Sequence, residues 1–226
     1  MSDSTGLTGS AWNQIFLKSG HIFRDPHPRV VDLLESGSLG VGAKVLDLGC
    51  GTGRHLVLGA ARGYTVIGID DSREALRLAS ELLLARGLSA VLVESSIFCG
   101  LPFRDGTLDA AVAVQSIHHA CLSQIAGTIS ELTRTLKPGG PLFLSVPTLR
   151  NQSAHFAEIE PNTLVPLEGP EKGLPHHFFT EAELRNMLGS FEEHSFELDD
   201  NAHLCATAIR SSPRTSESIS RMSEIE

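Results

Sequence analysis

A glycine-rich turn directly after an apolar run restricts the fold of this chain more than any other feature. Residues 47–55 read Asp-Leu-Gly-Cys-Gly-Thr-Gly-Arg-His, and the apolar run at 45–48 leads into them. The three glycines lack the Cβ atoms that would keep a ligand away from the backbone. Asp70 ends a second apolar run at 64–69, and a carboxylate there can accept hydrogen bonds from both hydroxyls of a ribose. These residues predict a nucleotide-sized pocket.

The spacing of the glycines narrows the class of ligand. It is G-x-G-x-G rather than the G-x-G-x-x-G of nicotinamide and flavin sites, so no third glycine clears the helix N-terminus for a pyrophosphate. The string D-L-G-C-G-T-G resembles motif I of the class I S-adenosylmethionine-dependent methyltransferases, and residues 66–70, 101–109 and 136–140 resemble three later motifs in the same order. The pattern is similar to the methyltransferase type 11 group, which includes the tellurite-resistance-like enzymes. This resemblance implies S-adenosylmethionine as the cofactor.

Apolar runs and helical patterns alternate along the chain, which predicts an α/β fold with a parallel sheet covered on both faces. The predicted strands lie near 44–48, 64–69, 90–94, 108–114, 141–146, 192–198 and 202–209. The resemblance implies a Rossmann-like, seven-stranded, mostly parallel sheet whose last strand is antiparallel.

Capping patterns predict where two of the helices begin. Asp71 with Glu74 forms a capping box after the second strand, and Thr180 with Glu183 forms another. A helix before Lys137 repeats apolar residues at helical spacing, which predicts one buried face. Those positions are Ile125, Ile129, Leu132 and Leu136.

Composition predicts a soluble, cytosolic protein. With 226 residues and 41% apolar content, the chain suits one domain with a sizeable core. It contains no apolar run near the roughly 18 residues that a membrane span needs, and its first residues do not read as a signal peptide. The four cysteines have no framework spacing, so reduced thiols are expected. The net charge of −9 disfavours a protein that binds mainly phosphates.

The two ends of the chain differ from its centre. Residues 1–26 are interpreted as a lid-like segment, 27–210 as the methyltransferase domain with a substrate-loop insertion at 148–180, and 211–226 as a flexible tail too poor in apolar groups to order itself. The alternative for the aromatic residues of the first segment is that they simply cover part of the core.

The resemblance assigns the cofactor pocket residue by residue. Many relatives carry an aspartate before Leu101 that receives the adenine amino group, but residues 94–100 contain no aspartate. The Ser96 hydroxyl or a backbone carbonyl can accept that hydrogen bond instead, and Ile97 or Phe98 can stack on the ring. The predicted cofactor-binding residues are Asp47, Gly49, Cys50, Gly51, Asp70, Asp71, Ser96, Ile97 and Gln115.

Two histidines follow the fourth strand, at the sheet edge where open α/β folds bind their ligands. Methyl transfer from a sulfonium is an in-line displacement that needs a base only when the nucleophile carries a proton. His118 or His119 can take that proton, since an ordinary histidine has a pKa near 6.5. The alternative is a structural pair of histidines, as in many relatives. The Pro-Pro-Tyr motif of adenine-N6 and glutamine methyltransferases is missing here.

The long connection from Pro147 to Thr180 is predicted to wall the substrate, because ordered loops of this length are usually functional. His176 is the third catalytic candidate. The candidates for contact with substrate are His177, Phe178, Arg150, Trp12 and Phe16, with His155 behind them. Phe179 can equally pack the loop onto the core. No zinc signature is present, so no metal is expected.

A small-molecule acceptor is the favoured partner, with nucleic acid and membrane disfavoured and the oligomeric state left open. Residues 114–119 and 177–184 also resemble tRNA wobble-uridine carboxymethyl methyltransferases, which makes that activity the first alternative. The second alternative is a regulatory protein that binds the cofactor without catalysis.

Overall fold

The computed structural model describes residues 7–149 and 155–212, except for the side chains of residues 7–10 and 193. Its helices are α1 (Leu7–Ser19), α2 (Pro28–Glu35), α3 (Arg54–Ala61), α4 (Arg73–Leu84), α5 (Leu122–Thr135) and α6 (Glu181–Met187). Its strands are β1 (Lys44–Leu48), β2 (Thr65–Asp70), β3 (Val91–Glu94), β4 (Ala110–Val114), β5 (Pro141–Val146), β6 (Phe156–Glu160), β7 (Thr163–Pro166), β8 (His176–His177), β9 (Phe191–Leu198) and β10 (Leu204–Arg210). Arg150 and nearly all of the predicted tail lie outside the described residues.

Seven strands of the described chain form one sheet, in the order β3-β2-β1-β4-β5-β10-β9. Strands β1 to β5 pair in parallel, whereas β10 is antiparallel to both β5 and β9. Strands β4 and β5 are buried along their whole length, as parallel strands are when both faces of the sheet are covered. The predicted Rossmann-like sheet with an antiparallel last strand is confirmed.

Successive residues of the central strands enter two separate cores, because side chains alternate across a strand. On one face, Val45 of β1 and Val66 of β2 pack with helices α2, α3 and α4. On the other, Leu46 and Ile67 pack with α5 and α6. The predicted inner face of α5 is buried there. Helices on both faces thus hold the sheet, and with it the loops at its carboxyl edge.

The two capping patterns have different outcomes. Thr180 caps α6 as predicted, since its hydroxyl accepts a hydrogen bond from the Glu183 backbone N–H at 3.2 Å. The cap of α4 is Ser72, whose hydroxyl accepts from the Ala75 backbone N–H at 3.1 Å. The prediction of Asp71 as the cap is therefore wrong by one residue.

The long connection after β5 contains a small sheet of its own, in the order β6-β7-β8. The sequence predicted only a loop, because these strands are short and their buried and exposed residues do not alternate regularly. Backbone bonds attach this insertion to the main domain: the His177 N–H donates to the His118 carbonyl (2.8 Å) and the Phe179 N–H to the Pro147 carbonyl (2.9 Å). Strand β8 therefore lies beside the segment that leaves β4.

All four cysteines are free thiols, as predicted from their spacing. Within the part of the chain that the structure describes, no helix has the length and apolar content needed to span a membrane.

We expect Gly68→Ala to destabilise the fold, because Gly68 lies where α3 and the glycine turn approach β2. An added Cβ would stand 2.7 Å from both Cys50 Sγ and Leu56 Cδ1. Overpacking of this kind costs about 1–3 kcal/mol of unfolding free energy. The measurement is urea unfolding followed by circular dichroism.

Gly127→Ala is the matched control for this prediction. Gly127 lies in α5 with no atom within 4 Å of an added Cβ, so the exchange should stabilise the helix by about 0.5–1 kcal/mol. Equal unfolding free energies for the two variants would contradict the packing argument.

Candidate functional site

A cavity of about 440 Å³ opens at the carboxyl edge of the sheet, where the turns after β1, β2 and β4 meet. Ligand sites of open α/β sheets lie at this edge. The insertion contributes to one side of the cavity and helix α1 to another. A volume of this size is within the usual range of small-molecule sites.

The glycine turn after β1 forms part of the cavity wall, and all three of its glycines are favoured by backbone conformation. Gly49, Gly51 and Gly53 have φ +73°, +51° and +86°, a region that other residues adopt only with strain. A Cβ on Gly49 would also overlap the side chain of Ser116, which enters from the end of β4. The Ser116 hydroxyl donates to the Leu48 carbonyl at 2.7 Å. The turn after β1 and the segment after β4 are therefore in direct contact.

Asp70 lies at the end of β2 and lines the cavity. Its Oδ2 accepts from the Gly51 backbone N–H (2.8 Å) and its Oδ1 from the Ser72 backbone N–H (2.9 Å). Burial nevertheless raises the pKa of this carboxyl to about 6. Since an ionised carboxylate offers about four acceptor positions, two remain for the hydroxyls of a ligand. Asp70 therefore lies at the cavity with acceptor positions available, and its role in binding a ribose stays a prediction.

Asp47 is set behind the cavity wall rather than in it. Its Oδ2 is buried, has no hydrogen-bond partner among the described residues, and lies 3.5 Å from Nδ1 of His55. His55 lines the cavity, and its Nε2 accepts from the His27 backbone N–H at 3.1 Å. The neutral ring therefore carries its proton on Nδ1, facing Asp47. Arg54, a half-buried cation, also lines the cavity.

The segment after β3 presents apolar groups to the cavity. Ile97 and Phe98 line it, whereas the Ser96 hydroxyl faces its own turn and accepts from the Phe98 backbone N–H at 3.3 Å. Ser96 is thus not placed as a ligand contact, because the local turn uses its oxygen. Asp71 lines the cavity.

Gln115 and Cys50 contribute to the wall with side chains that are otherwise engaged. Gln115 has φ +53°, an uncommon conformation for this residue, and its Nε2 donates to Ser145 Oγ at 2.9 Å. Cys50 is buried, and burial raises the pKa of its thiol well above the usual value. Neither side chain is a reactive group.

Three histidines form another part of the cavity wall. The ring centroids of His118 and His119 are 3.9 Å apart, and that of His176 lies 4.7 Å from His119 and 5.7 Å from His118. All three rings are buried and line the cavity. His176 is held by the Leu174 carbonyl on Nδ1 (2.9 Å) and by Glu171 Oε2 on Nε2 (2.8 Å). The structure brings together the three residues that the sequence singled out.

The electrostatics of this cluster differ from those of exposed histidines. Burial lowers the pKa of His119 to about 3 and that of His118 well below the usual value, and the neighbouring imidazoles lower both further. Both rings are therefore neutral at physiological pH. A group with so low a pKa is a weak base, so the predicted role of these residues as general bases is not favoured.

Three other residues predicted to contact or support the substrate do not line the cavity. His177 is fully buried outside the cavity, bonded to Thr163 Oγ1 (2.7 Å) and to Glu183 Oε2 (3.1 Å). Phe178 is also buried and does not line the cavity. The prediction that they contact substrate does not agree with this placement. His155 is exposed and paired with Glu168 at 2.9 Å, away from the cavity.

Sequence reasoning missed a group of wall residues from the hairpin between β9 and β10. Asp199 Oδ2 accepts from His203 Nδ1 (3.0 Å), and both residues line the cavity together with Asn201. Glu171 was likewise missed. No sequence motif marks these residues, because only the fold brings their loops to the cavity.

Helix α1 contributes Trp12 and Phe16 to the cavity wall. The Trp12 ring meets His119 edge-on with centroids 5.3 Å apart. Asn13 attaches the helix to the start of α4: its Oδ1 accepts from Ser72 Oγ (3.3 Å) and from the Glu74 backbone N–H (2.9 Å). The two residues that hold the helix, Ser72 and Glu74, follow Asp70 closely in the chain.

Comparisons with known proteins agree with this geometry. Residues 45–140 match the family described as "Methyltransferase domain". The chain is 30% identical over 136 residues to the mouse (Mus musculus) tRNA (carboxymethyluridine(34)-5-O)-methyltransferase ALKBH8, covering 60% of this chain and 19% of that protein. It is 36% identical over 107 residues to an uncharacterized methyltransferase of Synechocystis, covering 47% and 48%. The chain thus spans only a fifth to a half of these curated relatives.

Solved structures share the fold. A SAM-dependent methyltransferase from Methanosarcina mazei superposes with a TM-score of 0.68 at 26% identity, covering 84% of this chain and all of that one. The PH0226 protein from Pyrococcus horikoshii superposes with a TM-score of 0.68 at 24% identity, covering 79% of this chain and 86% of that one.

We expect Asn13→Ala to loosen helix α1, because the exchange removes the acceptor of two hydrogen bonds to the start of α4. The loss should be about 1 kcal/mol of local stability. Hydrogen exchange of the backbone amides of α1 measures it. The control is Gln14→Ala, since Gln14 is exposed on the same helix. Equal exchange rates in the two variants would show that Asn13 does not hold the helix.

Proposed function

Because the chain belongs to the class I S-adenosylmethionine-dependent methyltransferases, we propose that it transfers the methyl group of S-adenosylmethionine to a small-molecule acceptor. The observation that carries this proposal is that the glycine turn, Asp70 and the three histidines line one cavity. A donor and an acceptor bound there would be neighbours, and holding two reactants together is the main requirement of an in-line displacement.

The residues on the donor side fit the cofactor. Asp70 offers two acceptor positions for ribose hydroxyls, and Ile97 and Phe98 offer apolar surface for an adenine ring. The unpartnered, buried Oδ2 of Asp47 supplies negative charge towards the ammonium group, while Arg54 supplies positive charge towards the carboxylate. When bound, S-adenosylmethionine supplies an activated methyl group on a sulfonium.

The histidine side of the cavity is proposed to hold the acceptor. His118 and His119 are neutral, so they present lone pairs rather than positive charge. Trp12 of helix α1 lies against His119 and adds apolar surface to this side. The proposed role of these residues is to orient the acceptor, because a neutral leaving group requires no acid.

The charge of the described surface supports a small acceptor. Several arginines are already paired with carboxylates, which reduces their availability to phosphates. These pairs are Arg29–Glu197, Arg62–Glu35, Arg73–Glu94, Arg77–Glu74, Arg134–Glu131 and Arg185–Glu181. The net charge of −9 acts in the same direction.

The likeness to tRNA (carboxymethyluridine(34)-5-O)-methyltransferases favours a second candidate function, methyl transfer to a carboxymethyluridine of tRNA. A protruding carboxymethyl group is small enough for the histidine side of the cavity. In that case the nucleic acid would bind outside the cavity and only the modified base would enter.

The test is transfer of labelled methyl from S-adenosylmethionine to a metabolite extract and, separately, to bulk tRNA. We expect label in a small molecule, and label in tRNA alone would replace the proposal with the second candidate. Asp70→Ala should abolish transfer, whereas Asp32→Asn, at an exposed position on α2, should retain it. Cofactor binding without transfer to either pool would indicate a regulatory protein.

We expect the affinity for S-adenosylhomocysteine to fall as the pH decreases through about 6, because Asp70 must be ionised to accept two hydroxyls and its pKa is raised to about 6. The dissociation constant should be about tenfold larger at pH 5 than at pH 7. Isothermal titration calorimetry measures it.

Asp70→Asn is the control for this pH dependence. The variant should bind more weakly at every pH and should lose the change between pH 5 and 7, since the amide does not titrate. A pH dependence that persists in Asp70→Asn would assign it to other groups.

A further inference from the structure

The histidine cluster has the composition of a metal site. His118, His119 and His176 each offer one ring nitrogen, and these three nitrogens lie within 4.8 Å of one another. His118 and His119 follow β4, and His176 is the first residue of β8. The next residue of β8, His177, donates its backbone N–H to the His118 carbonyl. The backbone of the insertion therefore holds the third imidazole beside the other two.

Two buried nitrogens in the cluster have no partner. Nδ1 of His118 and Nδ1 of His119 are inaccessible to solvent and make no hydrogen bond with any described residue. Leaving a buried polar atom unpaired costs about 1–3 kcal/mol, so proteins rarely keep two side by side without a use for them. A bound cation would use the lone pairs of these rings.

The third histidine has the surroundings typical of a metal ligand. Ligating histidines usually bond their second nitrogen to a carbonyl or carboxylate, which fixes the ring and its tautomer. Nδ1 of His176 lies 2.9 Å from the Leu174 carbonyl, which leaves Nε2 for a cation. Nε2 now contacts Glu171 Oε2 at 2.8 Å, and an ion at this nitrogen would take the place of that contact, with the Glu171 carboxylate left beside the site as a counter-charge.

We propose that His118, His119 and His176 bind a divalent transition-metal ion, with zinc as the best match, and that the remaining coordination position faces the cavity. Three protein ligands with one open position are the arrangement of catalytic zinc sites. Zinc–nitrogen bonds of about 2.0–2.1 Å place the nitrogens of a tetrahedral site about 3.4 Å apart. The rings would therefore approach by up to about 1.4 Å, a distance that small side-chain rotations supply.

Sequence spacing gave no sign of this site. Zinc signatures depend on ligands a few residues apart within each pair, whereas His176 belongs to the insertion and meets His118 and His119 only in the folded chain. The expectation that no metal is bound came from that spacing alone.

The site limits the class of acceptor, a consequence that rests on the proposed function. An ion with its open position towards the cavity binds an oxygen or sulfur of the acceptor and makes a thiol or hydroxyl more acidic. This role does not require His118 or His119 to act as a base. Thiols, hydroxyls and carboxylates are the acceptor groups that fit.

A second group of potential ligands provides an internal control. His27, Asp199 and Cys205 also lie within 4.8 Å of one another. His27 Nδ1 accepts from the Arg29 backbone N–H (3.2 Å), so the proton of the neutral ring is on Nε2 and neither nitrogen offers a lone pair to a cation, unlike His176, whose Nδ1 donates. Asp199 Oδ2 already accepts from His203 Nδ1 (3.0 Å). We expect no tight metal binding at this second group.

The test is metal binding by the full chain, purified without a histidine tag and stripped with a chelator. Calorimetric titration with zinc should give one ion per chain, and cobalt(II) should give visible ligand-field bands without a thiolate charge-transfer band. Alanine or glutamine at His118, His119 or His176 should weaken binding at least about 100-fold. His155→Ala and Cys205→Ala should bind as the unchanged chain does.

The outcomes separate this proposal from the proposed function. No stoichiometric binding, unchanged affinity in the folded His176→Gln variant, or loss of binding in Cys205→Ala would overturn the metal site. Circular dichroism of the metal-free variants identifies those that fold. Zinc binding by a chain that transfers no methyl group would leave the site standing and contradict only the proposed transfer.

Discussion

The close approach between the turn after β1 and the segment after β4 is the contact on which the rest of the site depends. The missing Cβ of Gly49 admits the side chain of Ser116, whose hydroxyl bonds the Leu48 carbonyl. One segment provides the turn proposed to face the methyl donor, and the other carries His118 and His119. Since the two segments touch, the donor and acceptor sides form one cavity rather than two neighbouring clefts.

Features governed by local sequence could be predicted. The buried strands β4 and β5 show as apolar runs, the glycines of the turn as a spaced motif, and Thr180 as a helix cap. Asp70 was also found, because a strand end fixes the position of its last residue. Each of these depends on residues a few positions apart, and the central sheet follows from them.

The remaining features depend on contacts between distant segments. In the small sheet β6-β7-β8, the His177 ring bonds Thr163 of β7 and is buried there, although the sequence predicted that it contacts the substrate. Asp47 has the right motif position, yet His55 stands between it and the cavity. Asp199 lines the cavity from the hairpin between β9 and β10, and no sequence motif marks it. The cap of α4 was also mispredicted, because Asp71 and Ser72 are both residue types that cap helices and the sequence does not distinguish them.

The attachment of the insertion has a consequence for how such a protein diversifies. Two of its bonds to the main domain, from the His177 N–H to the His118 carbonyl and from the Phe179 N–H to the Pro147 carbonyl, join backbone atoms. Two others use side chains of the insertion, His177 with Glu183 and Glu160 with the Leu122 N–H. Every residue except proline can provide such a donor. Side chains of the insertion that bond nothing in the main domain can therefore vary while the two backbone bonds keep the insertion in the same register. Acceptor preference can evolve by exchange of this segment without disturbing the half of the protein that faces the methyl donor.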